Sequence, residues 1–418
     1  MKSIIQELSE TKQLLDDIKP ASSKPETKVQ ETEINRIEQK ELYQLYVSDP
    51  LVFNSINKQV QIIMSAGYDL EGSEKSINFF EGFIERIGEQ GTENDFDQIL
   101  SETFLHELTG GRAWHENIHN SAGTKIVDID IINPLGMDYA RDASGKIVFD
   151  NEGNPVGYVQ KVPFNFSQDQ KFKVPDKVNT SNGIFIPPKY ITHFKLYTVG
   201  DGLSGLGLVE PIYKSALRKL NIEQGYANAA HRLGYPIVTA TIGDALHEPT
   251  TQQITNTLNE INQIDYKSSF AFPYYVKMDL LEARKPERLK DNLDYFENSE
   301  MTGMGTPGAF ATGRGEDTNR ATLNRQEYIL KLSLKDFIKR TIKTIENKEF
   351  AVIAAQNGLF TEDKKPDFPR IKWREISMED LDGKAKRLMG YSQYGLLTPN
   401  PELEDYIRTI EDLPKQVK

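Results

Sequence analysis

From Asp49 onward, apolar residues recur every three or four positions. Phe53, Ile56, Val60 and Ile63 or Met64 share one side of a predicted helix, with Asp49 as N-cap, Pro50 at the first helical position and Gly67 as its stop. A second helix carries Ile77, Phe80, Ile84 and Ile87 on one face. A third, from Asn94 to Gly110, buries Phe96, Leu100, Phe104 and Leu108. After Gly111 the period falls to two. In KIVDIDII (125–132), Val127, Ile129 and Ile131 alternate with Asp128 and Asp130, the pattern of a half-buried strand. Turn sequences NSAG (120–123), DASG (142–145) and NEGNP (151–155) then punctuate an antiparallel meander to about Thr198.

The second half begins with a helix from about Leu208 to Leu233, roughly 38 Å long, in which Pro211 is tolerated only because it lies in the first turn. A strand (237–243), a helix (249–264) and a strand (270–281) form a β-α-β insertion before a second helix at 286–301. The glycine-rich stretch MTGMGTPGAFATGRGEDTN (301–319) follows. A long helix from Arg320 to Gln356 has Leu323, Leu330, Leu334, Phe337, Ile338, Ile342 and Ile345 as its apolar stripe. A strand near Arg370–Trp373 and two helices around YGLLTPNPE (394–402) complete the pattern. Ahead of it all, residues 1–19 fit a short amphipathic helix and 20–33 a linker, so residues 1–40 read as a mobile arm. The fold class is α+β.

Composition narrows the chemistry. The 418 residues carry a net charge of −12 and no cysteine, which excludes disulfide scaffolds, thiolate metal sites and thiol nucleophiles. The acidic balance argues against general coating of nucleic acid by the surface. No stretch approaches the ~18 apolar residues of a membrane span, and acids interrupt the first helix too often for a signal peptide.

Two motifs are formal matches to known chemistry. HENIH (115–119) reads as H-E-x-x-H, in which His115 and His119 would bind zinc and Glu116 would activate water. That geometry needs a helix, whereas the flanking glycines fit a strand hairpin, on which the two histidines stand about 13 Å apart. Exposed hairpin residues are the preferred reading. GMGTPG (303–308) matches G-x-G-x-x-G but lacks the preceding apolar strand of a dinucleotide site, and no P-loop sequence occurs. It reads instead as a functional loop. In DNLDYFENSE, Asp291, Asp294, Glu297 and Glu300 repeat every three residues as a slanting negative stripe, which on its own reads as a solvated face. Beside a glycine loop it suits the wall of a passage that must not grip phosphates. The six histidines are scattered and assemble no catalytic constellation.

Several segments in order resemble the portal (connector) proteins of tailed bacteriophages and related viruses. They are PLVFNSINKQVQIIMSAGYDL (50–70), HFKLYTVGDGLSGLGLVEPI (193–212), NAAHRLGYPIVTATIG (228–243), GEDTNRATLNRQEYIL (315–330) and YGLLTPNPELEDYI (394–407), where Pro401 departs from the family's usual Glu. The resemblance covers about 45–413. It implies a portal fold: an α/β wing at 41–207, a two-helix stem at 208–235 and 285–301, and a β-α-β clip at 236–284. The tunnel loop at 302–319 follows, then the long helix and return to the wing at 320–375, and a helical C-terminal crown at 376–418.

It further implies a homo-oligomeric ring of twelve copies at one capsid vertex, assembled in the host cytoplasm. Double-stranded DNA would pass through it during packaging, retention and ejection. Its implied partners are the terminase large subunit, major capsid and scaffold proteins and a head-tail adaptor, with no cofactor, metal or membrane. In that arrangement Met304, Thr306, Phe310, Thr312 and Arg314 face DNA from the tunnel loop, and the stripe from Asp291 to Glu300 lines the channel. Deleting 303–313 would then leave subunit contacts intact. Alternatives are an H-E-x-x-H zinc metallopeptidase and a minor capsid or adaptor protein without a pore.

Overall fold

The computed structural model describes residues 36–89, 94–161, 172–181, 183–199, 202–234, 237–243, 248–262, 276–281, 289–312, 320–374, 386, 389–394 and 404. Residues 1–35, and nearly all of the C-terminal segment assigned as a crown, lie outside the described residues. Residues just ahead of the expected boundary at 41 pack on the rest of the fold. Arg36 grips Glu210 at two points, Nε to Oε1 at 2.8 Å and Nη2 to Oε2 at 2.7 Å. Helix α1 (Gln39–Ser48) buries Leu42, Leu45 and Tyr46. A bidentate pair of this kind fixes direction as well as position, so Arg36 is anchored to Glu210.

Helix α2 (Pro50–Ala66) begins where Asp49 accepts hydrogen bonds from the Leu51 and Val52 amides, and Gly67 ends it at φ 65°. Val52, Ile56, Val60 and Ile63 form its buried stripe. Phe53, expected inside, is 49% exposed because it lies about 100° round the helix from Val52. Strand β1 (Tyr68–Glu71) leads to α3 (Glu74–Ile84), which turns Phe80 and Phe83 inward and leaves Ile77 and Ile84 half-buried. Helix α4 (Phe96–Gly110) buries Phe96, Ile99, Leu100, Phe104 and Leu108 and ends on Gly111 in the left-handed region.

The strands form two three-stranded antiparallel sheets rather than one meander. In the first, β2 (Arg112–His119) lies between β3 (Ile126–Ile132) and β7 (Ile191–Lys195); the second joins β4 (Met137–Tyr139), β5 (Tyr158–Lys161) and β6 (Gly183–Ile186). Strand β2 is covered on both sides. Ala113 joins the main helical core with Ile129 and Phe194, while Trp114 packs oppositely with Ile132, Met137, Ile186 and Ile191. Strand β3 departs from its predicted alternation. His119 pairs with Ile126 but Ile118 with Asp128, so Val127 is the extra residue of a bulge and its side chain is exposed. Asp128 is turned inside instead, where it accepts from the Gly88 amide at 3.3 Å.

The glycines of GLSGLGL answer to a backbone contact. Strands β8 (Tyr197–Thr198) and β9 (Gly205–Leu206) run across the end of α4. The Leu196 amide donates to the Gly111 carbonyl at 2.9 Å and the Leu208 amide to that of Leu108 at 2.7 Å. A Cβ on Gly205 would stand 1.8 Å from the Gly111 oxygen, so no larger residue fits.

Helix α5 (Val209–Gly234) has 26 residues, about 39 Å at 1.5 Å each. Beyond it, β10 (Ile237–Ile242) pairs antiparallel with β11 (Val276–Leu281), and α6 (Thr251–Asn262) lies between them in sequence. Helix α7 (Leu289–Met304) returns antiparallel to α5, with Lys219 against Glu300 and Ile212 under Gly303. A short α8 (Gly308–Thr312) precedes α9 (Arg320–Ile345), whose Leu330, Leu334, Phe337, Ile338, Ile342 and Ile345 are buried as predicted; Leu323 is half-buried. A π-helical turn, Glu346–Phe350, then sets Glu346, Glu349 and Phe350 all inward before α10 (Ala351–Gln356). Strand β12 (Arg370–Trp373) pairs antiparallel with β1, tying the end of the described fold to its start. The architecture is α+β, and among the described residues no helix is long and apolar enough to cross a membrane.

Candidate functional site

The GMGTPG glycines end a helix. The Gly305 amide donates to the Thr302 carbonyl at 3.2 Å and the Thr306 amide to that of Met301 at 3.1 Å, with Gly305 at φ 64°. This is a Schellman cap, and Pro307 then starts α8. The cap lays the following residues on α2. Buried Gln59 donates its amide to the Met304 carbonyl at 3.2 Å and the Thr306 hydroxyl at 2.7 Å, and Asn54 donates to the Ala311 carbonyl.

Met304 and Thr306 are therefore 1% and 2% exposed, core groups of their own chain rather than DNA-facing ones. Phe310 packs half-buried against the same core, Thr312 is exposed at the end of α8, and Arg314 lies outside the described residues. Residues 303–312 also cannot be deleted without uncovering Gln59, which corrects the expectation of a dispensable loop.

The acidic stripe divides. Asp291 and Asp294 are exposed and Glu297 is half-buried, but Glu300 is fully buried. Three residues advance a helix by about 300°, so each step slips back about 60° and the fourth acid faces opposite the first. Glu300 instead shares the Lys219 ammonium with Asp49, both contacts at 2.7 Å. Burial pushes the Glu300 carboxyl up to about 7, and Lys219 offsets part of that rise. Burial would pull the Lys219 ammonium down, but the hydrogen bonds it donates to Asp49 and Glu300 hold it above the usual lysine value. This triad locks α5 and α7 to the N-terminus of α2. Lys219 sits in a long charged helix where no spacing marked it.

HENIH lies on β2, as the strand reading required, but His115 is not exposed. It is wholly buried, with Nδ1 2.8 Å from Glu349 Oε1 and Nε2 2.6 Å from Thr103 Oγ1. The Thr103 hydroxyl also lies 2.6 Å from the Ile99 carbonyl. This Thr–His–Glu relay resembles a hydrolase triad in connectivity, yet all three side chains are sealed from substrate. It fastens the central sheet to α4 and the π turn. His119 Nδ1 contacts the Asn117 carbonyl at 2.7 Å instead of converging on His115. His115→Ala is expected to cost about 2–3 kcal/mol in urea unfolding, through the stranded Glu349 carboxylate, with no zinc bound before or after. One zinc per chain, lost in the variant, would restore the peptidase reading.

Among the described residues no group of three or more potential ligands could hold a metal ion. A family model described as the portal protein of Mu bacteriophage matches residues 40–410. The chain belongs to this portal protein family. Portal proteins are structural and carry no catalytic centre, in keeping with the sealed relay at His115.

Solved structures agree on the fold. A chain in the neck of an empty gene transfer agent (GTA) particle computed with C6 symmetry superposes with a TM-score of 0.61 at 12% identity, covering 91% of this chain and 95% of that one. A chain from the virion of a native GTA particle gives 0.58 at 11% identity, covering 91% and 95%. One from the neck of a native particle computed with C12 symmetry gives 0.56 at 13%, covering 91% and 94%. No curated protein matches the sequence.

Proposed function

We propose that copies of this chain close into a ring at a capsid vertex and act there as the conduit for the genome. The family match over residues 40–410 carries this reading. The neighbours described as necks of particles support the location, and the one computed with C12 symmetry supports a count of twelve. A long helix pair needs neighbours to cover its flanks, and cyclic symmetry supplies them. In this reading the wing spans residues 41–207, α5 and α7 are the stem, β10–α6–β11 the clip, 302–319 the tunnel segment and 376–418 the crown.

Asp291, Asp294 and Glu297 then line the channel and repel DNA phosphates, while Phe310, Thr312 and Arg314 approach the duplex. Assembly takes place in the host cytoplasm with scaffold and major capsid protein. The terminase large subunit drives double-stranded DNA inward, and a head-tail adaptor later takes its place. Electron microscopy of the purified chain should show rings with a central hole; solid particles or a lasting monomer would overturn the reading. Reversing Asp291, Asp294 and Glu297 to Lys should slow packaging by terminase about tenfold, through added phosphate contacts, and leave ring yield unchanged. An unchanged packaging rate would return these acids to a solvated face.

A further inference from the structure

A groove of about 880 Å³ runs between α9 and β12, floored by Leu332, Ile338, Ile342, Ile371 and Trp373. Along its α9 wall Lys331, Lys335, Lys339 and Lys343 recur every fourth residue, about 6 Å apart. The opposite wall is already neutralised: Arg370 pairs with Glu346, Lys372 with Glu71 and Arg374 with Asp69. Lys331 is held by Glu327. Lys335, Lys339 and Lys343 are exposed and form no ion pair among the described residues. Tyr328, Ile329 and Leu332, each at least 50% exposed, extend the apolar floor along the same helix. An apolar strip edged by unpaired ammonium groups is a surface awaiting an acidic, partly apolar partner.

A closed ring joins two different faces of the same chain, so a second copy can supply the partner surface. Helix α3 offers it. Glu74, Glu81 and Glu85 fall at i, i+7 and i+11 on one helical face, all exposed and without an ion pair among the described residues. Half-buried Ile77 and Ile84 flank Glu81, and neighbouring Arg86 is turned to the Gly82 carbonyl at 2.7 Å. The acidic row spans about 16 Å and the lysine row about 12 Å.

We propose that the α9–β12 groove receives the α3 face of the neighbouring copy, Lys335, Lys339 and Lys343 meeting Glu74, Glu81 and Glu85. The proposal rests on the ring reading above. A phosphate backbone is the poorer occupant, because the apolar floor gives it nothing.

The test uses the full chain under conditions where the wild type forms rings. K335E/K339E/K343E should cut the ring fraction at least tenfold by mass photometry, with the circular dichroism spectrum and thermal midpoint of the free subunit unchanged. Adding E74K/E81K/E85K should restore rings. Because the chain has no cysteine, Lys339→Cys supplies a single thiol for a photo-cross-linker, which should couple to residues 74–85 of a second copy. Wild-type ring yield in the first variant, failure of the swap to restore it, or coupling elsewhere would each overturn the proposal. So would intact rings that have lost binding to a fluorescent duplex. A wild-type chain that never forms rings would remove the ring reading itself, and this pairing with it.

Discussion

Lys219→Met is expected to destabilise the subunit by about 3–5 kcal/mol, measured by urea unfolding at pH 8, because it leaves two buried carboxylates facing each other. Lys219 is 3% exposed and Asp49 and Glu300 are fully buried, so water cannot take over the lost contacts. The loss should shrink at acid pH. Burial already raises the Glu300 carboxyl to about 7 with the lysine present, and removing the cation raises it further. A group whose folded pKa lies above its unfolded value stabilises below the unfolded pKa and loses that contribution as pH rises through the folded one. Lys219→Met at pH 5 should therefore sit closer to wild type than at pH 8. Combining it with Glu300→Leu should recover only part of the loss, since Asp49 stays buried without its cation and keeps only its cap bonds to the Leu51 and Val52 amides. Equal losses at both pH values, or no recovery, would mean that Lys219 acts through packing alone. The structural stake is the angle of α5 and α7, which the triad ties to α2.

Helices and their stops were legible in the sequence because their causes are local. Asp49 with Pro50, the stripe from Leu330 to Ile345, and the β-α-β order between the long helices all follow from spacing and caps over a few residues. The errors arise where a side chain's fate depends on something distant. Val127 and Asp128 exchanged roles because of a bulge against Ile118, on another strand. His115 became buried because β2 is covered on both sides, by α4 and the π turn on one and a second sheet on the other. Glu300 left its stripe through simple helical drift, which spacing alone does reveal, but its partner Lys219 is 81 positions away. Glycine spacing gave GMGTPG the look of a loop, while the Thr306 and Met304 contacts with Gln59 span about 245 residues and leave no local mark. Family membership was legible for a different reason. Gly205 and Gly207 of GLSGLGL are required by close backbone contact with Gly111 and Thr109, so the segment that carried the resemblance has a local physical cause.

A second large effect is expected at Glu107, which lies 2% exposed between α4 and α9 and forms no ion pair among the described residues. Its Oε2 accepts from the Thr341 hydroxyl at 2.6 Å, and burial pushes the carboxyl up to about 8, the Thr341 bond offsetting part of the rise. Below about pH 4.5 the group is protonated in both folded and unfolded chains. As pH rises from there to 8, the unfolded chain releases its proton first, and stability falls by about 1.4 kcal/mol per unit. The accumulated loss is on the order of 3–5 kcal/mol. His106 works in the opposite sense at the acid end. Burial, with His115 nearby, lowers it to about 4, so its contribution is present above 6.5 and is lost as pH falls through 4.

Glu300, near 7, still titrates between pH 7 and 8.5, so Glu107 is isolated by comparing wild type with Glu107→Gln, in which the Glu300 contribution is common to both. Glu107→Gln keeps an acceptor for Thr341 and removes the proton. The variant should match wild type near pH 5 and exceed it by about 3 kcal/mol near pH 8.5 in urea unfolding. Parallel stability curves for the two proteins would show that Glu107 stays charged and has another partner. Because Thr341 belongs to the helix that follows the proposed tunnel segment, rising pH should loosen the seat of that helix before it unfolds the sheets. Hydrogen exchange along residues 330–345 should accelerate between pH 7 and 8.5, beyond the intrinsic increase, in wild type and not in Glu107→Gln.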